Sequence, residues 1–485
     1  MSIKKNYLYS IMYQVLLIVV PLITAPYLSR TLGAETLGIY SYTNSVAYYF
    51  YLFSMLGISN YGNRTIAQVR DNSKMLNETA SELLCIQVLF GFMVLVGYGV
   101  YLLFLYKAGG NYFFASAIWL LYILSGVLDV SWFFWGIENF RITIIRNIIV
   151  KIITTAGVFI LVKEKSDLLV YIFLISGSSL ICQIILWHNI IRLVSFTKVN
   201  KRNLLKHLKN DFVLFIPVIA VSIYTVMDKL MLGTMCTMRQ LGYYDNVQKI
   251  MMLPTGILTA LGTVMMPRIS NLMIKGEGSK VRRFINISMQ FTCFFSVGFA
   301  AGLAGIGKTF SAVYFGNEFI ECGNMMILFA PVIIYVAWAN VIRTQYLIPA
   351  RKDKIYIVSV FLGAFVNVSV NICMIPGFSA VGAIIGTICA EAVVAVIQTI
   401  WIVSYIDIRK LICDSAFFLI PGLLMFFTVY SLGEHMGISL VTLVIQILWG
   451  TVFYISLAAV MLWKSKSLLM ERLRERFNNF IITYR

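Results

Sequence analysis

Residues 8–28 read LYSIMYQVLLIVVPLITAPYL, an apolar run of twenty-one residues without a charge. About 20 such residues in a helix cross the ~30 Å hydrocarbon core of a bilayer. Lys4 and Lys5 precede the run. A secretory signal would have a shorter apolar core and a small-residue cleavage site, so a first transmembrane helix is expected here. Thirteen similar runs follow, near 39–57, 80–106, 112–136, 142–162, 168–191, 212–235, 244–267, 284–307, 322–348, 355–376, 380–405, 411–432 and 440–463. The expected fold is an all-α integral membrane protein with about fourteen transmembrane helices.

Composition agrees with that expectation. The 485 residues are 60% hydrophobic and 12% charged, where a soluble domain is about one-quarter charged. So few charges could not cover the surface of a water-soluble core of this size. The 34 Phe, 27 Tyr and 8 Trp suit long interfacial belts. A net charge of +18 first suggests a nucleic-acid binder, but the positions of the charges argue otherwise. With the N-terminus inside, twenty-nine of the 39 Lys and Arg, Arg141 and Arg146 among them, fall on the cytoplasmic side. Six fall outside and four lie within spans. This positive-inside bias predicts a multi-pass protein of the plasma membrane with both termini cytoplasmic. It accounts for the charge without nucleic acid. The eight cysteines show no ligand spacing, and His188, His207 and His435 lie far apart. No disulfide framework, metal site or cofactor is therefore expected.

The chain also repeats itself. Leu37-Gly38-Ile39-Tyr40 and Leu241-Gly242-Tyr243-Tyr244 lie 204 residues apart, each preceded by another Leu-Gly pair, Leu32-Gly33 and Leu232-Gly233. Arg64 and Arg268 each follow their copy by 27 residues. The offset spans six helices, so the copies share one orientation: a parallel repeat about an axis along the membrane normal. The organisation expected is a six-helix lobe over 1–192, a basic cytoplasmic linker over 193–211 and a second six-helix lobe over 212–405. Two extra helices over 406–463 and an amphipathic basic tail over 464–485, lying on the inner leaflet, complete it. No loop is long enough to hold a separate soluble domain.

One motif could mislead. Gly302-Leu-Ala-Gly-Ile-Gly307-Lys308-Thr309 matches the phosphate-loop pattern GxxxxGK[ST]. That chemistry needs a preceding strand and cytosolic nucleotide, whereas these glycines end a transmembrane run and Lys308 is expected outside. Close helix packing explains them better.

Polar residues inside the spans carry the functional expectation, because a charge at mid-bilayer usually faces a cavity or a partner. Thr143, Asn147, Lys151 and Thr154 recur at spacings of four, four and three, on one helical face. Asp228-Lys229, Asp245, Lys249, Asn340, Arg343 and Glu391 occupy later spans, with Asn367 and Asn371 one turn apart. Lys151, Arg343, Lys229, Lys249, Asn147 and Asn340 are candidates to line a substrate cavity. Asp228, Asp245 and Glu391 are candidates for ion coupling or for structural pairing.

The stretch Leu28-Ser-Arg-Thr-Leu-Gly-Ala-Glu-Thr-Leu-Gly-Ile-Tyr-Ser-Tyr42 resembles the start of bacterial polysaccharide flippases. So do Leu56-Gly57-Ile58, Tyr61-Gly62-Asn63-Arg64, Asp228-Lys229-Leu-Met-Leu-Gly233, Gly242-Tyr-Tyr-Asp245, Pro267-Arg268-Ile269-Ser270 and Phe315-Gly316-Asn-Glu-Phe319. This is the Wzx-type oligosaccharide flippase branch of the multidrug/oligosaccharidyl-lipid/polysaccharide exporter superfamily. The resemblance implies a two-lobe transporter that moves polyprenyl-pyrophosphate-linked repeat units from the inner to the outer leaflet, by alternating access through a cationic cleft between the lobes. Its implied partners are the lipid-linked oligosaccharide and membrane lipids, with other envelope-glycan assembly proteins as further candidates. A drug or metabolite exporter of the same superfamily is the alternative. A membrane-embedded polymerase or glycosyltransferase would need larger external loops, so no enzyme is expected.

Overall fold

The structure, a computed structural model, describes residues 3–107 and 112–464. Among these residues every regular element is helical. The first half of the chain holds α1 (Ile3–Met55), α2 (Ile58–Val69), α3 (Ser73–Lys107), α4 (Phe113–Ile118), α5 (Leu120–Val127), α6 (Ser131–Gly136), α7 (Phe140–Leu161), α8 (Leu168–Leu193) and α9 (Lys201–Met235). The second half holds α10 (Met238–Ile274), α11 (Gly278–Phe310), α12 (Cys322–Ile342), α13 (Asp353–Ile402), α14 (Ile408–Ala416), α15 (Leu419–Met436) and α16 (Leu440–Lys464). The expected amphipathic tail falls almost wholly beyond residue 464, outside the described residues.

Among the described residues, eleven helical segments are long and apolar enough to cross a membrane. A bent pair, Lys201–Ile223 and Thr225–Met235, angled at 48°, would make twelve. Two of the segments are far longer than one crossing requires: 15–69 with 55 residues and 353–402 with 50. Fifty residues of helix extend ~75 Å. Each of the two contains a break. Gly33 has φ 76°, ψ 172°, a conformation that a residue with a Cβ adopts only under strain. Ser379 has φ 50°, ψ −128°. Across Ser379 the chain doubles back, since Gln398 Nε2 donates to Ser359 Oγ at 3.0 Å and Gly386 packs on the Asn371 side chain. Helix α13 is therefore an antiparallel hairpin.

The expected fourth span, 112–136, is three short helices rather than one. The Asp129 carboxylate accepts the Ser131 N–H at 2.8 Å, offering the backbone an alternative to the helix. Gln87 of α3 satisfies the broken segment. Its Nε2 donates to the carbonyls of Gly126, Val127 and Asp129 at 3.0, 3.1 and 2.8 Å, and its Oε1 accepts from Trp132 Nε1 at 3.0 Å. Interrupted backbone is tolerated at membrane depth only with such partners.

Two compact units divide the chain, 1–242 and 243–485. The first is built on Leu83, Trp132, Phe133, Phe134, Leu186 and Ile190. The second is built on Ile285, Met289, Ile342, Phe418 and Met425. The phosphate-loop look-alike lies wholly within α11. Gly307 there packs against the backbone of Gly323, and Lys308 pairs with Glu434 at 2.8 Å. The glycines thus serve helix packing, as expected.

Candidate functional site

The polar residues fall into separate clusters, each determined by its own helices. In the first unit, the α7 stripe satisfies much of itself. Thr143 Oγ1 donates to the Phe140 carbonyl at 2.9 Å and Thr154 Oγ1 to the Val150 carbonyl at 2.8 Å. The Asn147 carboxamide oxygen accepts from Arg146 Nε and Nη2 at 3.1 and 2.8 Å. Lys151 is half-buried one turn further on, with no carboxylate partner among the described residues. On α9, Asp228 is fully buried and Lys229 half-buried. Both are engaged with neighbouring groups.

Arg146 corrects the charge count. Placed among the cytoplasmic loop residues, it lies two turns inside α7 and is only 7% exposed. Its Nη1 donates to the Cys182 carbonyl of α8 at 2.5 Å. The sequence misled because Arg141 and Arg146 sit close together just after a polar stretch. Where the helix starts decides which of them is solvated.

In the second unit, Arg343 opens a π-helical turn, Arg343–Leu347, continuous with α12. Its Nη2 donates to Asn340 Oδ1 at 2.6 Å, and its guanidinium carbon lies 5.4 Å from the Tyr356 ring centroid. Asn340 is 4% exposed. Gly262 of α10 packs directly on the Asn340 amide and the Thr344 hydroxyl, leaving no room for a Cβ. A half-buried guanidinium held in this way keeps a planar fork oriented for carboxylate or phosphate.

Lys249 pairs with Asp245 at 2.5 Å; the carboxylate is buried and the ammonium exposed. A polar seam continues from α10 into the α13 hairpin. Tyr244 Oη and Thr387 Oγ1 are 3.3 Å apart, and Gln248 Nε2 donates to Tyr244 Oη at 3.5 Å. Glu391 is buried one turn beyond Thr387. Asn371 Nδ2 donates to Asn367 Oδ1 at 3.3 Å. The structure therefore joins Arg343 to Asn340, Lys249 to Asp245 and Asn147 to Arg146. Lys151 and Lys229 belong to the first unit, and Arg343 and Lys249 to the second.

A further cluster had no sequence signal. His207 Nε2 lies 3.1 Å from Glu82 Oε2 and its Nδ1 lies 2.8 Å from Tyr61 Oη. Asn203 Nδ2 donates to Glu82 Oε1 at 3.1 Å. The basic run around His207 reads as a loop, but α9 already starts at Lys201.

A relative named as an O-antigen transporter in Shigella dysenteriae is 24% identical over 378 residues, covering 77% of this chain and 93% of the relative. One of the same name in Escherichia coli (strain K12) is 21% identical over 408 residues, covering 83% and 97%. The solved structure of the lipid II flippase MurJ, in an inward closed conformation, superimposes with a TM-score of 0.76 at 16% identity, covering 94% of this chain and 98% of that one. At that identity the likeness shows the fold. The family model described as "Polysaccharide biosynthesis protein" matches residues 3–273. That is more than half of the 485 residues, and the chain belongs to this family, within the Wzx-type branch that its motifs resemble.

Proposed function

We propose that the protein is a flippase that moves polyprenyl-pyrophosphate-linked oligosaccharide repeat units from the inner to the outer leaflet for cell-surface polysaccharide synthesis. The observation that carries this reading is a half-buried Arg343, held by Asn340 and Tyr356, in a chain of the polysaccharide biosynthesis family. The lipid-linked cargo of its relatives explains why a membrane protein would keep such a group. An unpartnered sugar hydroxyl drawn into hydrocarbon costs about 4–8 kcal/mol, and a pyrophosphate costs far more. A polar, cationic route lowers that barrier while the polyprenyl tail stays in lipid.

Lys151, Lys229, Lys249, Asn147 and Asn340 belong to the same proposal as wall residues of that route. Arg343 is its anion-binding group. Fourteen crossings, six-helix lobes over 1–192 and 212–405 with an added pair over 406–463, cytoplasmic termini and alternating access complete it. Support comes from the breaks at Gly33 and Ser379, each of which divides an over-long segment.

The test is reconstitution into liposomes with a fluorescent polyprenyl-pyrophosphate oligosaccharide, reading the fraction accessible to an external quencher. Flipping well above that of empty liposomes is expected. A rate equal to that of empty liposomes, or faster movement of an amphipathic drug cation than of the glycolipid, overturns the reading.

A further inference from the structure

Between α7 and α8 of the first unit lies a cavity of about 550 Å³. Its walls are mixed in an informative way. Ile145, Ile149 and Ile185 supply hydrocarbon, while Asn139, Arg141 and Arg146 supply polar and cationic groups. The apolar wall is outward-facing: Ile149 is 51% exposed and Ile185 39%. Such side chains on a transmembrane helix face acyl chains. Arg141 is exposed, sits in the first turn of α7, and has no ion-pair partner among the described residues. Arg146, 7% exposed, adds a second positive charge to the lining, fixed by its bonds to the Cys182 carbonyl and Asn147.

We propose that this groove binds an anionic phospholipid, its phosphate against Arg141 and an acyl chain along Ile145, Ile149 and Ile185. Charge complementarity selects the occupant. An exposed guanidinium and a second, buried one in the wall of an isoleucine-lined groove match a ligand that is a phosphate at one end and hydrocarbon along the rest. Basic pockets between transmembrane helices on the cytoplasmic side recognise anionic headgroups in this way, and Arg is suited to a phosphate by its planar donors. A soluble phosphate would leave the isoleucine wall unused, and a zwitterionic lipid would leave the charges uncompensated. Only the cytoplasmic placement of this end is taken from the transport reading. The site is a lipid site on one unit whether or not that unit flips glycolipid.

The full-length protein, purified in neutral detergent, is titrated with phosphatidylglycerol and separately with phosphatidylcholine, and bound lipid is counted by native mass spectrometry. Phosphatidylglycerol is expected to be retained at least tenfold more strongly. Arg141→Gln should weaken it about fivefold, while Arg141→Lys keeps most of the binding. Ile149→Trp should also weaken it by filling the groove. Both positions are exposed, so the variants should fold. Equal retention of the two lipids, or wild-type binding by Arg141→Gln, overturns the proposal. So does displacement by inorganic pyrophosphate with Ile149→Trp silent, which would mark a phosphate site without an acyl groove. Because the readout is binding, it is independent of any failure to transport glycolipid.

Discussion

Gly242 lies against the backbone of Ala34, so close that a Cβ at position 242 would overlap the Ala34 carbonyl oxygen. Gly38, four residues after Ala34, is in the same position against the Met238 carbonyl, and Gly233 against the Tyr42 ring. These glycines are the ones that mark the internal repeat. The two copies of the Leu-Gly motif thus meet each other, and at positions 38 and 242 backbone touches backbone. Small residues at helix crossings do this in membranes, where there is no water to drive association.

Gly38→Ala and Gly242→Ala should therefore destabilise the protein by about 1–3 kcal/mol, the usual cost of overpacking, because backbone atoms cannot swing aside. Thermal unfolding in detergent reads the effect. Gly99→Ala is the control: nothing lies within 4 Å of its Cβ position. It sits inside α3, where replacing Gly stabilises by roughly 0.5–1 kcal/mol. Equal responses at positions 38 and 99 would show that the contact carries no weight.

Much of the fold was legible from apolar run length, and the family from ordered motifs. The rest was hidden for identifiable reasons. Hydropathy does not register backbone breaks, so 112–136 looked like one helix although Asp129 turns the chain after Val127. The pairing of Arg146 with the Cys182 carbonyl depends on how α7 meets α8, which no local pattern encodes. The candidate residues were findable because charges in apolar runs are rare. Which of them pair, as Lys249 does with Asp245, is set by helical phase and neighbours together.

Gln87→Leu tests the broken fourth span. It would strand the Val127 and Asp129 carbonyls and the Trp132 indole N–H, while the Gly126 carbonyl keeps the Asp129 N–H. Buried groups left unsatisfied cost about 1–3 kcal/mol each, so a stability loss of a few kcal/mol and a marked fall in folded yield are expected. A melting temperature unchanged from the parent would mean that other groups hold the break.

Lys308→Ala should leave transport intact, and a photoreactive ATP analogue should not label the protein. The motif lies in a helix, with its lysine paired to Glu434 at 2.8 Å. An exposed ion pair of this kind contributes at most about 1 kcal/mol. Charge reversal at both positions, Lys308→Glu with Glu434→Lys, should be equally mild. Loss of transport at normal protein level in Lys308→Ala would restore the phosphate-loop reading.

Arg343→Ala should lower glycolipid flipping on the order of tenfold, the loss of one charge-assisted contact worth ~1.5–3 kcal/mol, with membrane levels near normal. The guanidinium is only half-buried, and Asn340 and Tyr356 orient it without neutralising its charge. Arg343→Lys separates two uses of that charge. A lysine keeps the positive charge but not the planar fork, so partial activity indicates simple attraction and near-complete loss indicates two-point contact with phosphate. Asn340→Ala should mimic the weaker of these effects, because it frees the guanidinium without removing it. A purely structural role predicts a different pattern: Arg343→Ala would lower the melting temperature and the membrane level together. Cysteine placed at position 343, in a background lacking the eight native cysteines, gives the geometric check. Labelling by a water-soluble thiol reagent, with protection by added substrate, is expected. Failure to label in any transport state would remove Arg343 from the substrate route.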